Sequence, residues 1–404
     1  MNSKRRLMSA AFLCAMTSLA FWLTAPPAFA GLSYAKTTVT PAGQVYGGFA
    51  VNDRGQVAWV GNVAGVDQIF LYRNGQNTQI THNIYQKNIG IESLQINNQG
   101  QIAWSQLDYN PNPGGAGVNQ NVYLYDGNTY KPLNDNQGQY YWYSKYPHLN
   151  NRGEVAWVQA YQPAPDNSLW DVYLYTGGSV KRLTNDLSPQ GPPRLNDNGW
   201  VTWHGDRREV SDWDNRVYLY TGTLPAPVIA YLAGKGSSSP QINNLGQVAW
   251  LRYDSSIMPY YNIYVWDGHS NTKITNLGAT NYDGANFCLN NNGQILWGWG
   301  DGSNNKQLYL YGAGGTKKIT DDGNTHFNYG LADNGWIMWM QNTGQYAGDL
   351  YAYRNGSSCR LDTGVGYEGN VINSRGQVVW SHGPIFLASP VIAAPGINSL
   401  LLMN

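Results

Sequence analysis

The stretch LNNRGEVAWVQAY, residues 149–161, decides the fold because close copies of it recur along the chain. INNQGQIAW begins at Ile96, INNLGQVAW at Ile242 and LNNNGQILW at Leu289. A period of about 40–50 residues is typical of a propeller or a solenoid. Aligned on their glycine, the copies define eight repeats, anchored at Gly55, Gly100, Gly153, Gly199, Gly246, Gly293, Gly335 and Gly376.

The residues around each anchor glycine predict a tight turn followed by a strand. Three residues before the glycine, at position −3, seven copies have Asn and one has Ala332. Asn at the first position and Gly at the fourth favour a type I turn, and Gly tolerates the left-handed backbone. Position +2 is always Val or Ile, which favour strands. Position +4 is always tryptophan: Trp59, Trp104, Trp157, Trp203, Trp250, Trp297, Trp339 and Trp380.

Two further strands complete each repeat. The third reads DVYLY at residues 171–175 and NIYVW at 262–266. Asp267-Gly268 and Asn355-Gly356 fit two-residue hairpins, and a last strand such as VKRLTND (180–186) follows. Four short antiparallel strands make one propeller blade. The sequence therefore predicts an all-β chain, an eight-bladed β-propeller of four-stranded antiparallel blades.

The order of these segments resembles a known repeat family. N-x-x-G-x-Val-Ala-Trp, then Val-Tyr-Leu-Tyr, then Arg-Leu-Thr-Asn is similar to the WD-repeat-like repeat of TolB-type proteins, over nearly all of residues 31–404. That family usually carries Pro-Asp in the first turn, where this chain has Asn-Asn or Asn-Asp. TolB itself resembles a small α/β domain joined to six blades, and only 24 residues separate Gly31 from Gly55. The resemblance therefore implies the propeller and not the envelope role of TolB.

The first thirty residues predict a secretory signal peptide. Basic residues 4–6 precede an apolar run at 7–23, and Ala28-Phe29-Ala30 has the form of a cleavage site. An uncleaved anchor is the alternative, and no later stretch is long and apolar enough to span a bilayer. We expect cleavage after Ala30, a secreted or periplasmic location, and one propeller domain at 31–404.

The eighth repeat lacks a clear fourth strand. SYAKTTVT, Ser33 to Thr40, matches that strand in pattern and is predicted to pair with the last repeat and close the ring. The alternative donor is Val391 to Met403.

The two cysteines outside the signal lie in different repeats. Cys288 falls in an innermost strand and Cys359 in an outermost strand of another repeat. They are too far apart for the Cα separation of about 4.4–6.8 Å that a disulfide needs, so two free thiols are expected.

Charge and the recurring tryptophan exclude some functions. Removing the three basic residues of the signal leaves 22 basic against 25 acidic residues (25 − 3 = 22), which argues against nucleic-acid or anionic-membrane binding. Positions +2 and +4 share one strand face and +3 the other, and both faces are apolar or small. The eight tryptophans are therefore predicted to pack blade against blade, worth about 2–3 kcal/mol each, rather than to grip a ligand.

Variable loops are the predicted place for function. The loops between second and third strands and the crossings between blades share one face and combine Trp and Tyr with Asp, Asn and Arg. That mixture suits a glycan or a protein partner, although these side chains would also serve to pack the loops together. The candidate ligand-binding residues are Trp142, Tyr161, Trp170, Arg207, Arg208, Trp213, Tyr260, Tyr261 and Trp299.

Catalysis has little support in the sequence. The six histidines occupy six different positions relative to the glycines, so no metal ring or cofactor site is expected, and there is no G-x-S-x-G elbow. Asp206 with Asp214 or Asp254 leaves a paired-carboxylate glycosidase open. The prediction is an exported, monomeric, non-catalytic propeller that binds a protein or extracellular glycan. The alternatives are a secreted carbohydrate-active lyase or hydrolase and a structural envelope component.

Overall fold

A computed structural model describes most of the chain after residue 31. The predicted signal peptide, residues 1–30, lies outside the described residues. The described ranges are 32–41, 45–82, 94–110, 117–134, 142–161, 170–185, 190–206, 215–223, 228–230, 236–253, 261–276, 286–300, 305–344, 347–366 and 369–391.

The described residues form β-strands and no helix, as the repeat pattern predicts. The strands are β1 Tyr34–Thr38, β2 Val45–Val51, β3 Val57–Val63, β4 Val66–Arg73, β5 Gln76–Gln79, β6 Gln95–Ile96, β7 Ile102–Asn110, β8 Gly117–Tyr125, β9 Tyr130–Pro132, β10 Trp142–Leu149, β11 Val155–Tyr161, β12 Trp170–Thr176, β13 Ser179–Arg182, β14 Arg194–Leu195, β15 Val201–Asp206 and β16 Asn215–Tyr220. They continue as β17 Val228–Ala230, β18 Ser237–Ile242, β19 Val248–Tyr253, β20 Tyr261–Trp266, β21 Asn271–Lys273, β22 Phe287–Leu289, β23 Ile295–Gly300, β24 Lys306–Gly312, β25 Gly315–Lys318, β26 His326–Leu331, β27 Ile337–Asn342, β28 Ala347–Arg354, β29 Ser357–Gly366, β30 Asn370–Ile372, β31 Val378–Ser381 and β32 Ile385–Pro390.

Consecutive strands pair into four-stranded antiparallel sheets. Strands β2 to β5 make the first, and β14 to β17, β18 to β21, β22 to β25 and β26 to β29 make four more. In repeats two and three, β6 to β9 and β10 to β13 pair in the same antiparallel way. These two sets are joined by one parallel pair, Tyr143 with Gln120. The four-stranded unit predicted from the repeats is therefore present.

The last repeat takes a strand from the beginning of the chain. Its sheet has the order β1-β32-β31-β30, with Tyr34 opposite Pro390 and Thr38 opposite Phe386. The predicted pairing of the N-terminal segment with the last repeat is thus observed. The alternative donor falls almost entirely at 392–404, outside the described residues.

The turn at Asn150 to Gly153 shows why these residue types recur. Asn150 Oδ1 accepts hydrogen bonds from the backbone N–H groups of Arg152 and Glu154 at 3.0 and 2.9 Å. Its Nδ2 donates to Glu154 Oε2 at 2.7 Å and to the carbonyl of Asn196, in the next repeat, at 2.9 Å. Only an amide can both accept and donate in this way. Asparagine therefore closes its own turn and ties it to the next one.

Seven of the eight anchor glycines meet two demands, as Gly153 illustrates, whereas a Cβ on Gly335 would meet nothing within 4 Å. The φ of Gly153 is +76°, a left-handed backbone angle that residues other than glycine rarely adopt. A Cβ on Gly153 would lie 2.7 Å from Oε1 of Gln101, which reaches over from the preceding repeat. Glycine is thus required both by the turn and by the neighbouring repeat.

The repeated tryptophans fill the space between successive sheets. All eight are between 0% and 5% exposed. Each contacts the aromatic ring opposite it on the third strand; Trp157 stacks on Tyr173 with ring centroids 5.7 Å apart. Seven of them also share a core cluster with position +3 of the preceding repeat, as Trp157 does with Ala103 and Trp59 with Val379. At four of these +3 positions the residue is alanine, which leaves room for the indole.

Four innermost strands contain a bulge that the sequence did not predict. The register shifts in β2, β10, β18 and β26. In the last three, at the same position seven residues before the anchor glycine, Tyr146, Ser239 and Asn328 have φ values of +56°, +53° and +45°. A bulge bends a strand and redirects a side chain. The inner wall is therefore irregular on the side away from the tight turns.

The two described cysteines are free, as expected from their places in different repeats. Burial raises the pKa of the Cys288 thiol to about 12. Within the described ranges, the chain contains no helix with the length and apolar character needed to cross a membrane.

Candidate functional site

A cavity of about 330 Å³ lies where the tight turns of all eight repeats meet, and we call it the turn cavity. Its wall comes from the ends of the innermost strands and from the first residues of the turns. An aliphatic side chain from each repeat, at position −4, forms the apolar part: Val51, Ile96, Leu149, Leu195, Ile242, Leu289, Leu331 and Ile372.

The polar rim of the turn cavity comes from position −2. Asn151 N–H donates to Asp197 Oδ1 at 2.8 Å, and Asp197 N–H donates to Asn244 Oδ1 at 2.8 Å. Bonds of this kind run from one repeat to the next, so each rim side chain is oriented by its neighbour. The rim residues are Asp53, Asn98, Asn151, Asp197, Asn244, Asn291, Asp333 and Ser374.

The turn cavity carries negative charge. Three rim residues are carboxylates, Asp53, Asp197 and Asp333, and the lining contains no Lys or Arg. His148 also lines it, and burial, followed by the nearby Arg194, lowers the pKa of its imidazole to about 3, so it is neutral. No group of three His, Cys, Asp or Glu among the described residues is arranged to hold a metal ion. Ammonium groups and peptide N–H donors match this lining.

A second cavity, of about 180 Å³, lies beside the bulge of β18 and has the opposite polarity. Arg194, His204 and Ser239 line it. Burial, and after it Arg194, lowers the pKa of His204 to about 4. The imidazole lies flat on Gly191, where a Cβ would approach to 2.1 Å. This bulge cavity holds a guanidinium and a neutral imidazole and has no carboxylate among its lining residues.

Three of the predicted ligand-binding residues come together in repeat three. Trp142 lies opposite Tyr161 in the pairing of β10 with β11, and Trp170 lies opposite Ala160 in the pairing of β11 with β12. Lys145 Nζ is 5.4 Å from the ring centroid of Trp170, within reach of a cation–π contact. The structure therefore gathers these three positions at one end of a single sheet.

Two other predicted residues pack on neighbouring aromatics. Tyr261 meets Tyr253 edge to face with centroids 5.6 Å apart, and Trp299 is tilted against Tyr309 at 5.8 Å. Tyr261 and Trp299 are half-buried against the same core cluster. The remaining candidates, Arg207, Arg208, Trp213 and Tyr260, lie outside the described residues.

The assignment of these residues to loops was wrong. Trp142, Tyr161, Trp170, Tyr261 and Trp299 all lie in strands. Pairing continues beyond the repeated tryptophan, and in β11 the side chains that follow it, Val158, Gln159 and Ala160, are still buried. Sequence reasoning also missed the turn cavity. Its signal was present, since position −2 is Asn or Asp in seven repeats.

Comparison with known proteins finds solved structures only; no protein-family model and no curated protein matches the chain. The Dos1 propeller is 10% identical, with 89% of this chain and 94% of that chain covered and a TM-score of 0.53. A puromycin hydrolase complexed with PGG is 12% identical, with coverage of 85% and 58% and a TM-score of 0.51. A puromycin-hydrolyzing peptidase of Mycobacterium tuberculosis is 12% identical, with coverage of 81% and 54% and a TM-score of 0.50.

These likenesses, all under 25% identical, show a β-propeller fold. The chain spans little more than half the length of the two hydrolytic neighbours. The prediction of a purely binding scaffold for a protein or glycan is wrong, because two of these three matching structures are hydrolytic proteins. The lack of a catalytic constellation in this sequence does not distinguish a binding scaffold from a propeller with hydrolytic neighbours.

Proposed function

We propose that the eight repeats are eight blades of a closed ring, of the TolB-type repeat, with β1 as the outer strand of the eighth blade. Asn373 Nδ2 donates to the Asn52 carbonyl at 2.7 Å, and Ser374 N–H donates to Asp53 Oδ1 at 2.9 Å. The same two bonds join most other successive repeats. Their presence between the last and the first repeat supports closure.

The function we propose is that of a peptidase-associated propeller, exported by the signal at residues 1–30. In this proposal a peptidase unit cleaves the substrate, and the propeller holds part of the peptide. Two hydrolytic neighbours of similar fold support this class of function. The observation that carries it is the turn cavity, with an amide and carboxylate rim around an aliphatic wall.

The lining of the turn cavity suits the amino end of a peptide. Its volume of about 330 Å³ is at the lower end of the usual range of about 300–1,000 Å³ for small-ligand sites. Rim carboxylates such as Asp333 favour an ammonium group, and rim amides accept backbone N–H donors. The aliphatic side chains below the rim accept an apolar side chain. A short peptide end therefore satisfies both parts of the wall.

Equilibrium binding of a labelled tetrapeptide tests this function. We expect the form with a free amino terminus to bind more tightly than its acetylated twin. Asp333→Asn removes one rim charge and recreates the amide pair that Asn244 and Asn291 already make. It should weaken binding roughly threefold to tenfold, the range for one charge-assisted contact. Ser374→Trp places an indole at the rim and should abolish binding.

Asp267→Asn is the matched control, because it removes one carboxylate from an exposed hairpin turn outside the turn cavity. Its peptide affinity should equal that of the unchanged protein. Absence of peptide binding, or binding that survives Ser374→Trp in a protein with an unchanged melting temperature, would overturn the proposal.

A further inference from the structure

The surface that carries the eight tight turns, which we call the turn face, is not uniform in charge. The residue just before the anchor glycine differs from one repeat to another. Three of these residues are arginines, Arg54, Arg152 and Arg375, and all three are exposed. The other five, in repeats two and four to seven, are uncharged: Gln99, Asn198, Leu245, Asn292 and Asn334. Positive charge is therefore concentrated on one side of the turn face.

Arg375 and Arg54 belong to turns that contact each other. The turn of Arg375 donates from Ser374 N–H to Asp53 Oδ1, in the turn of Arg54, at 2.9 Å. Arg73 is exposed in the hairpin between β4 and β5 of the same repeat as Arg54, on the same side of the sheet as the tight turns. Arg54, Arg73 and Arg375 form what we call the arginine arc.

The guanidinium groups of the arc have no described hydrogen-bond or ion-pair partner. Equivalent side chains elsewhere on the turn face do have one: Arg152 Nη1 donates to the Asn198 carbonyl at 3.1 Å, and Asn198 Nδ2 donates to the Asn244 carbonyl at 2.9 Å. Asp53, the carboxylate nearest in sequence to Arg54, accepts from Ser374 N–H and Asn98 Nδ2. The guanidinium N–H groups of Arg54, Arg73 and Arg375 are therefore available to donate to a bound molecule.

We propose that the arginine arc binds an acidic polypeptide segment through its side-chain carboxylates. A guanidinium pairs with a carboxylate in a planar, two-bond arrangement. A polypeptide can place carboxylates on the arc while presenting neutral or basic groups to the rim aspartates Asp53 and Asp333. A nucleic acid carries a negative charge at every step and would meet those aspartates with repulsion. The arc lies outside the turn-cavity lining and does not depend on the function proposed for it.

Fluorescence anisotropy with a labelled, acetylated octapeptide that alternates glutamate with glycine tests the arc, because it offers carboxylates to the arginines and neutral residues to the rim aspartates. We expect saturable binding at about 0.05 M salt that weakens at about 0.3 M, because screening shortens the reach of exposed charges. Arg54→Gln with Arg375→Gln should weaken it by roughly threefold to tenfold, as for two exposed ion pairs. Arg54→Lys with Arg375→Lys should restore part of the loss, since charge returns without the two-bond geometry.

Lys273→Gln with Lys317→Gln is the matched control. Both lysines are exposed on outer strands of repeats five and six, and the pair removes the same charge as the double arginine variant. Its affinity should stay within about twofold of the unchanged protein, as expected for distant exposed charges. Equal loss in the control, no loss in the arginine variant, or tighter binding of a labelled oligothymidylate would each overturn the proposal. Asp333→Asn tests the turn cavity separately, so the two failures are distinguishable.

Discussion

The junction between repeats three and four and the junction between repeats seven and eight join similar turns by different means. At the first, the side-chain Nδ2 of Asn150 donates to the carbonyl of Asn196 in the next turn and to the carboxylate of Glu154 in its own turn. At the second, Ala332 has no polar side chain, and Trp336 takes the place of Glu154. A Cβ on Gly376 would lie 2.4 Å from the Trp336 ring, so the indole packs directly on the next turn.

The N-terminal strand completes the second junction. Tyr34 meets Trp336 edge to face with centroids 5.2 Å apart, and its hydroxyl donates to the Gly376 carbonyl at 3.0 Å. One turn geometry is thus held by amide hydrogen bonds in one place and by aromatic packing in another. The two junctions should therefore respond differently to mutation and to pH, and the following predictions separate them.

The largest effect is expected from Trp336→Ala. Trp336 is 4% exposed and packs against Tyr34 and Ala332, so its loss leaves a cavity at the junction. We expect the free energy of unfolding to fall by about 3–5 kcal/mol, the usual cost of truncating a buried aromatic. Urea unfolding followed by tryptophan fluorescence measures it, with Trp336→Phe as the milder control. A loss below about 1 kcal/mol would mean that the aromatic packing does not hold this junction.

Asn150→Ala should have the next largest effect. It deletes four hydrogen bonds and leaves the buried carboxylate of Glu154 without its amide partner. The unfolding free energy should fall by about 2–3 kcal/mol because buried polar groups lose their partners. Asn198→Ala, in an exposed position of the neighbouring turn, is the control and should change it by less than about 1 kcal/mol. Equal effects would contradict the role of the position −3 amide.

Acid should weaken the junction between repeats three and four through His148. Its Nδ1 accepts the Leu195 N–H at 3.2 Å, and its pKa of about 3 lies below the ordinary value of 6.5. The stabilisation is full above pH 6.5 and is lost as the pH falls toward 3, because the unfolded chain takes up the proton first. The expected loss is on the order of 1 kcal/mol per pH unit.

His148→Gln tests this pH dependence. Gln95 and Gln241 occupy the same position in other repeats and accept the corresponding N–H at 2.7 and 2.9 Å, so glutamine should keep the bond. Melting temperatures should match near pH 7.5, and the variant should lose less stability between pH 6 and pH 4.5. His269→Gln, an exposed residue, is the control. Identical pH profiles for all three proteins would contradict the assignment to His148.

The smallest effect, a gain, is expected from Ala332→Asn. Repeat four shows that Asn at position −3 is compatible with Trp at +1: Asn196 Oδ1 accepts Trp200 N–H at 2.9 Å, and Nδ2 donates to the Asn243 carbonyl at 2.9 Å. Supplying these bonds at repeat seven should stabilise the fold by about 1 kcal/mol. Thermal melting beside Ala332→Ser, whose side chain is too short to reach across, measures it. A destabilised asparagine variant would show that the aromatic junction leaves no room for the amide.

The repeat unit could be predicted from sequence because its signals are local. Gly153 and Trp157 act within a few residues, and the left-handed turn and the buried strand follow from their chemistry. The strand from Tyr34 was predictable because one repeat visibly lacked a partner. The hydrogen bond from Asn373 to Asn52 joins residues far apart in the sequence and has no such local signal.

The site was harder to predict because it depends on what the repeats share in space. Asn151 and Asp197 look like ordinary turn residues until the turns are brought together around one cavity. The aromatic residues that follow the repeated tryptophans were predicted to bind a ligand because they vary between repeats. Tyr261 and Trp299 instead pack on the neighbouring rings of Tyr253 and Tyr309. The bulge at Ser239 could not be predicted, because no glycine or asparagine stands at that position. Patterns within a repeat are readable, whereas the chemistry between repeats must be seen in the structure.

At seven of the eight anchor glycines, the side chain at position +1 of the neighbouring repeat covers the glycine, as Gln101 covers Gly153 and Trp200 covers Gly246; Gly335 is the exception. A repeat therefore carries half of one contact on each side. If one were copied, exchanged or inserted by itself, a tryptophan could arrive where the neighbouring turn had fitted a glutamine. The smallest segment that could be moved with this contact intact accordingly runs from the middle of one repeat to the middle of the next. Recombination at the border between two repeats would separate the +1 side chain from the glycine that it covers.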